Sequence, residues 1–233
     1  MPSAPSLLDG ILFGVLPYVA FAIFFLVSIH RYIWMPFTFS SLSSQFLENR
    51  EHFWGMVPFH YGIIFVLTGH VVAFLIPQGV LLWNSQPLRL YVLEFSGLAF
   101  GLLAIVGLAS AMVRRMTDRK ARRVTSPLDW ILLAMLLWQM SAGVYVALFH
   151  PWGSSWFAAL ASPYLWSLLK FNPNLGYIAA LPAAVKTHIV GAYALIGLAP
   201  FTRLVHILVI PNPYLWRRPQ VVRWYRRPGR VAG

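Results

Sequence analysis

Residues 58–74 read PFHYGIIFVLTGHVVAF. The stretch carries no Lys, Arg, Asp or Glu and runs on into Leu75 and Ile76, close to the length of about 20 apolar residues that a helix needs to cross a bilayer. A soluble domain would offer such a helix little water-facing surface, so this is read as a membrane span. Two histidines, His60 and His70, stand inside it. An ionisable side chain at membrane depth is expensive and is normally turned into the bundle for a functional reason.

Working outward, the same length rule marks five spans, at about 10–33, 57–77, 90–113, 128–149 and 183–209. The expected fold is an all-α integral membrane protein, a single five-transmembrane-helix bundle over residues 1–233. Composition agrees: of 233 residues, 59% are hydrophobic and 10% charged, against about 25% charged in soluble domains, and the mean hydropathy is +0.67. That balance excludes both a soluble globule and a disordered chain. Cys is absent, which excludes disulfides, thiolate zinc sites and iron–sulfur clusters ligated by this chain. Pro58 is expected in the first turn of span two, where its missing N–H costs little. Pro127 and Asp129 mark the start of span four. Span one follows Asp9 without a preceding Lys or Arg and shows no cleavage pattern, so it reads as a retained helix.

The net charge of +12 is first a topology signal, because cations concentrate on the cytoplasmic side. No Lys or Arg precedes span one, and Arg89 alone lies between spans two and three. The next connection holds Arg114, Arg115, Arg119, Lys120, Arg122 and Arg123, and the tail 211–233 holds six arginines between Arg217 and Arg230. Alternation of rich and poor sides puts the N-terminus outside and the C-terminus in the cytoplasm. The basic residues flank spans and line no soluble face, so nucleic acid is not the expected partner. In the outer connection 150–182, Tyr164 to Phe171 reads as a short helix at the membrane surface.

Span five, AVKTHIVGAYALIGLAPFTRLVHILVI at 184–210, adds His188 and His206. Spans two and five are antiparallel, so His60 falls level with His206 and His70 with His188. Two imidazole pairs, each drawn from two helices, are what two bis-His b-type haems require. The ten-residue and eighteen-residue spacings correspond to roughly 15 and 27 Å of straight helix, a mismatch that calls for tilt or for a bend at Pro200. Gly62, Gly69 and Gly191 would let a flat macrocycle approach the backbone, or would serve ordinary close packing of membrane helices. A tetrahedral zinc site is disfavoured, since paired ligands on one helix would then stand three or four residues apart.

Several motifs then coincide: SSQFLENR at 43–50, FH and GH in span two, KTH at 186–188, and PFTRLVHILVIPNPYLWRRPQVVR at 200–223. In these the chain resembles the gamma subunit of membrane-bound respiratory nitrate reductase, a di-haem cytochrome b. The resemblance implies that His60 and His206 ligate the haem nearer the cytoplasm, and His70 and His188 the outer one. It implies a multi-pass chain of the inner (cytoplasmic) membrane that oxidises quinol near the outer haem, with electrons passing to a cytoplasmic iron–sulfur (beta) subunit and then to a molybdenum catalytic (alpha) subunit. Nitrate itself would be reduced elsewhere in that complex. Arg89 stands where the family usually carries a Lys implicated in quinol binding, and Arg keeps the charge but is no proton shuttle.

Arg89, Glu94 and Gly69 are the quinol-site candidates. Arg89 is otherwise an interfacial anchor of span three, and Glu94 either a proton acceptor or a partner to Arg89. Arg203, three residues before His206, is expected on an inner-haem propionate or snorkelling to the surface. The tail, with Trp216, Trp224 and Tyr225 among its arginines, reads as a dock for the cytoplasmic partner or as a lipid headgroup contact. Rival readings are a related di-haem cytochrome b of a nitrite oxidoreductase-like or sulfur/heterodisulfide-type complex, and a haem-free membrane anchor or transporter.

Overall fold

The computed structural model describes residues 6–35 and 50–208, with side chains in the second segment from residue 55 onward. The basic tail 211–233 and nearly all of the SSQFLENR motif lie outside the described residues, which are mostly helical and contain no strand. Helix α1 (Leu7–Trp34) opens on a capping box in which the Ser6 side chain accepts from the Asp9 N–H and the Asp9 carboxylate from the Ser6 N–H. It is followed by α2 (Arg50–Leu75), the short α3 (Pro77–Asn84), α4 (Pro87–Thr117), α5 (Arg119–Arg123) and α6 (Pro127–Phe149). Then come α7 (Gly153–Trp156), a π-turn at Phe157–Ala161, α8 (Ser162–Leu169), α9 (Gly176–Ala179) and α10 (Ala183–Leu198).

Among the described residues, five segments are long and apolar enough to cross a membrane: Leu7–Trp34, Gly55–Leu75, Pro87–Thr117, Pro127–Phe149 and Ala183–Phe201. These are the five expected spans, with two corrections. Helix α2 starts at Arg50, so Pro58 lies inside it and not in its first turn. The apolar run measures the membrane-embedded length, whereas the helix continues through the polar Arg50–His52, and the interior Pro forfeits a backbone hydrogen bond. Span five is not one helix to residue 209. The α-helix ends at Leu198, a 3-10 turn covers Ala199–Phe201, Thr202 is extended, and a second 3-10 turn covers Arg203–Ile207. Pro200 cannot donate to the ladder, and Arg31 of α1 takes up freed carbonyls, donating to Pro200 O at 2.6 Å and Thr202 O at 3.2 Å. The fourth span begins as expected, with Pro127 in the first turn and a Ser126–Asp129 capping box.

Helix α2 packs most extensively on α4, while α10 packs on α6 and on α1. Small residues allow the first pairing. A Cβ on Gly62 would stand 2.5 Å from Phe100 O and 2.7 Å from Ala104 N of α4, and one on Gly107 of α4 would stand 2.7 Å from Gly55 O. Phe13, Ala20, Val146, Tyr164, Ile178, Val185 and Tyr193 form a core that ties α1, α6, α8 and α10 together. Helix α8 overlaps the short helix expected over Tyr164–Phe171 but starts at Ser162 and ends at Leu169, and Tyr164 anchors it in that core. The Tyr164 hydroxyl is fully buried, donates to Phe13 O at 2.8 Å and accepts from the Tyr193 hydroxyl at 3.2 Å. Only its other face, with Trp166 stacked on Phe74, remains outward.

Candidate functional site

The histidine-bearing elements, α2 and span five, meet through their side chains and not through extensive backbone packing. At the end of the bundle near α5, His60 of α2 faces His206 of the terminal 3-10 turn, with ring centroids 6.3 Å apart and planes at 62°. His60 Nδ1–H donates to Met56 O at 2.7 Å, and His206 Nδ1–H to Arg203 O at 2.5 Å. A carbonyl can only accept, so both rings carry the proton on Nδ1 and keep the Nε2 lone pair for a ligand. The break at Pro200 lets span five deliver His206 to His60 despite the unequal spacings along the two spans.

Toward the other end, His70 of α2 faces His188 of α10, with centroids 6.5 Å apart and planes at 48°. His70 Nδ1–H donates to Val66 O at 2.8 Å, and Phe157 sets an edge against its ring at 5.2 Å. His188 differs. Its Nδ1 is buried without a hydrogen-bond partner among the described residues, while its backbone carbonyl accepts from Gln139 Nε2 of α6 at 2.9 Å.

The spacing tests what these pairs suit. A metal–imidazole bond of about 2 Å on each side, plus the radii of the rings, puts two imidazoles sharing one ion roughly 6 to 6.5 Å apart, centre to centre. Both pairs have that separation. Among the described residues no three metal-ligating side chains gather, so each pair would supply two imidazole nitrogens and leave the other coordination positions to a group brought from outside the chain. That donor set fits the iron of a haem, which takes axial His ligands.

The remaining candidates are distributed differently from expectation. Arg203 Nε and its terminal nitrogen bind the two carboxylate oxygens of Asp129 at 2.7 and 3.0 Å, and the terminal nitrogen also reaches Val124 O at 3.0 Å. A propionate on Arg203 would therefore share it with Asp129. Arg89 lies over the Trp83 ring at 5.2 Å. Glu94 is not its partner: Glu94 Oε1 accepts from the Ser154 N–H at 2.8 Å and from the Ser154 hydroxyl at 2.6 Å. The Ser154 hydroxyl also accepts from Asn84 Nδ2 at 2.9 Å, so the carboxylate holds the start of α7 against α3 and α4. Of the three glycines expected beside a macrocycle, Gly62 is filled by α4 and Gly191 by Gln139, as close packing requires. Gly69, next to His70, is exposed and has open space at its Cβ position.

A family model described as nitrate reductase gamma subunit matches residues 9–225. The chain is 33% identical over 216 residues to the nitrate reductase gamma chain of Bacillus subtilis (strain 168), covering 91% of this chain and 97% of that one. It is 30% identical over 226 residues to the respiratory nitrate reductase 2 gamma chain of Escherichia coli (strain K12), and 28% identical over 221 residues to the respiratory nitrate reductase 1 gamma chain of the same strain, covering 93% of this chain and 97% of the relative in each case. This chain belongs to the nitrate reductase gamma subunit family. With its five spans, this gamma-family chain is a multi-pass membrane protein and an oxidoreductase component. Two residues that engage the histidine segments, Gln139 and Asp129, were not singled out as site residues from the sequence. For Gln139 a signal existed, since an amide inside an apolar span must find a partner there.

Proposed function

We propose that this gamma-family chain is the membrane cytochrome b of a nitrate reductase complex in the cytoplasmic membrane. It oxidises quinol near the outer face and hands electrons to a cytoplasmic iron–sulfur (beta) subunit and, through it, to a molybdenum catalytic (alpha) subunit. The observation that carries the reading is the pair of facing imidazole couples, 6.3 and 6.5 Å between ring centres, on one pair of elements at two depths. His60 and His206 would hold one b haem, His70 and His188 the other. Bound there, haem supplies reversible one-electron chemistry.

The residues of the chain do the rest. Backbone carbonyls of Met56, Val66 and Arg203 fix three rings with Nε2 available, and such outer partners also raise ligand basicity. Gly69 leaves room for a quinol headgroup beside His70. Arg89, oriented by Trp83, supplies a cation at the same end. Glu94, with one carboxylate oxygen committed to Ser154, keeps the other as an acceptor for a quinol hydroxyl proton.

A redox difference spectrum with haem quantitation on the purified complex tests this. Two b haems per chain are expected. Replacing His70 or His188 with Ala should leave one, abolish quinol-driven nitrate reduction, and spare reduction by artificial donors to the soluble subunits. A wild-type chain without haem, or quinol turnover that survives either substitution, overturns the reading.

A further inference from the structure

Three of the four paired histidines are oriented by a carbonyl of their own turn: His60 by Met56, His70 by Val66, His206 by Arg203. His188 has no such bond, although it is among the more enclosed of the four rings. Its Nδ1 is one of two complementary orphans on the side chains that α10 and α6 present to each other. The other is Gln139 Oε1 of α6, buried and without a donor among the described residues. The Gln139 amide is already tied to His188, since its Nε2 donates to the His188 carbonyl at 2.9 Å.

The surroundings are cut to this pair. A Cβ on Gly143 would stand 2.9 Å from His188 Cε1, so Gly at 143 lets α6 take the imidazole where it stands, and a side chain there would displace the ring. A Cβ on Gly191 would collide with Gln139 Oε1, so α10 accommodates the amide for the same reason. Gln139 and Gly143 are four residues apart and share a face of α6, while His188 and Gly191 are three apart on α10. Each helix thus contributes one polar side chain and one glycine that receives the side chain of the other.

We infer that Gln139 is the positioning residue of His188, its Oε1 serving as the acceptor for the His188 Nδ1 proton that the other three histidines find in their own helix. The inference rests on the haem reading of the His70–His188 pair. Buried polar groups are satisfied in nearly all cases, and a ligating His almost always donates its second nitrogen to an outer partner. An acceptor on Nδ1 makes the imidazole a stronger donor to iron and favours the oxidised state. An amide taken from a neighbouring helix also makes the outer site depend on the α6–α10 packing, a dependence that the other three ligands lack.

The test uses the full-length chain in its native membrane, with Gln139→Met and Gln139→Glu, read by redox titration and by the low-spin ferric resonance of the outer haem. Met removes the acceptor at similar volume. It should raise the midpoint potential of the outer haem by about tenfold in the reduction equilibrium, about 59 mV for one electron, and leave the inner haem unmoved. Glu keeps an acceptor and removes the donor to the His188 carbonyl, so it should not raise the potential. If Met costs the outer haem altogether, Glu decides: retention at or below the wild-type potential supports the assignment, and loss or a rise overturns it. Two haems in the wild type with an outer potential indifferent to Gln139→Met, or raised equally by both variants, overturn this assignment alone. A wild-type chain lacking haem overturns the reading beneath it.

Discussion

His206 sits on a 3-10 turn of five residues, Arg203–Ile207, too short to hold a ring by itself. Its Nδ1–H is bonded to the Arg203 carbonyl, and the Arg203 side chain is held by Asp129 in a two-point ion pair. Asp129 is the same carboxylate that closes the capping box at the start of α6, taking the N–H and hydroxyl of Ser126. One acid therefore fixes both the start of span four and the turn that carries His206. Asp129→Asn keeps the shape and removes the charge, so it weakens the charge-assisted bonds without opening a void. We expect it to cost about 1 to 2 kcal/mol of stability and to perturb the haem proposed on His60–His206 more than the one proposed on His70–His188. Haem quantitation and the two low-spin resonances check this, and equal perturbation of both sites would argue against Asp129 acting through Arg203.

Among elements, the α2–α4 contact decides where His60 stands, because Gly107 of α4 lies against the backbone of Phe59, the neighbour of His60. Gly107→Ala drives a methyl into that backbone. It should destabilise the chain by about 1 to 3 kcal/mol, the usual cost of overpacking, and displace His60. Gly97→Ala on the same helix meets nothing within 4 Å and should be neutral or stabilising by up to about 1 kcal/mol. Thermal denaturation of the two variants, followed by far-ultraviolet circular dichroism, separates them. The same contrast explains what was legible in the sequence. Span number follows from apolar length, and the partnering of His60 with His206 and His70 with His188 follows from antiparallel depth, so both could be read. Gly62 and Gly69 look alike in sequence, yet one is filled by a helix and the other is open, because facing is set by tertiary packing. Pro58 was misread because hydropathy reports the buried length and not the helix length. Asp129 and Arg203 lie 74 positions apart, and no local pattern joins them.

At the scale of the whole molecule, the bundle is tied at both ends by polar pairs with opposite surroundings. Near α5 the ties are Arg203–Asp129 and Arg31 on the carbonyls of Pro200 and Thr202, beside a connection with six cations from Arg114 to Arg123. At the other end Lys186 of α10 binds Asp9 of α1 at 2.9 Å, and Arg89 is the sole cation between spans two and three. Cations collect on the cytoplasmic side, so we propose that the His60–His206 pair lies toward that side and His70–His188 toward the outside, the arrangement that quinol oxidation outside and nitrate reduction inside would need. A chain without Cys makes this directly testable, since any thiol introduced is the only one it contains. Asn172→Cys, just beyond α8, should react in intact cells with a maleimide that cannot cross the membrane. Lys120→Cys, on α5, should react only after permeabilisation. The reverse pattern would turn the molecule over, placing the open side of Gly69 and His70 in the cytoplasm and removing the physical case for quinol protons leaving on the outer face.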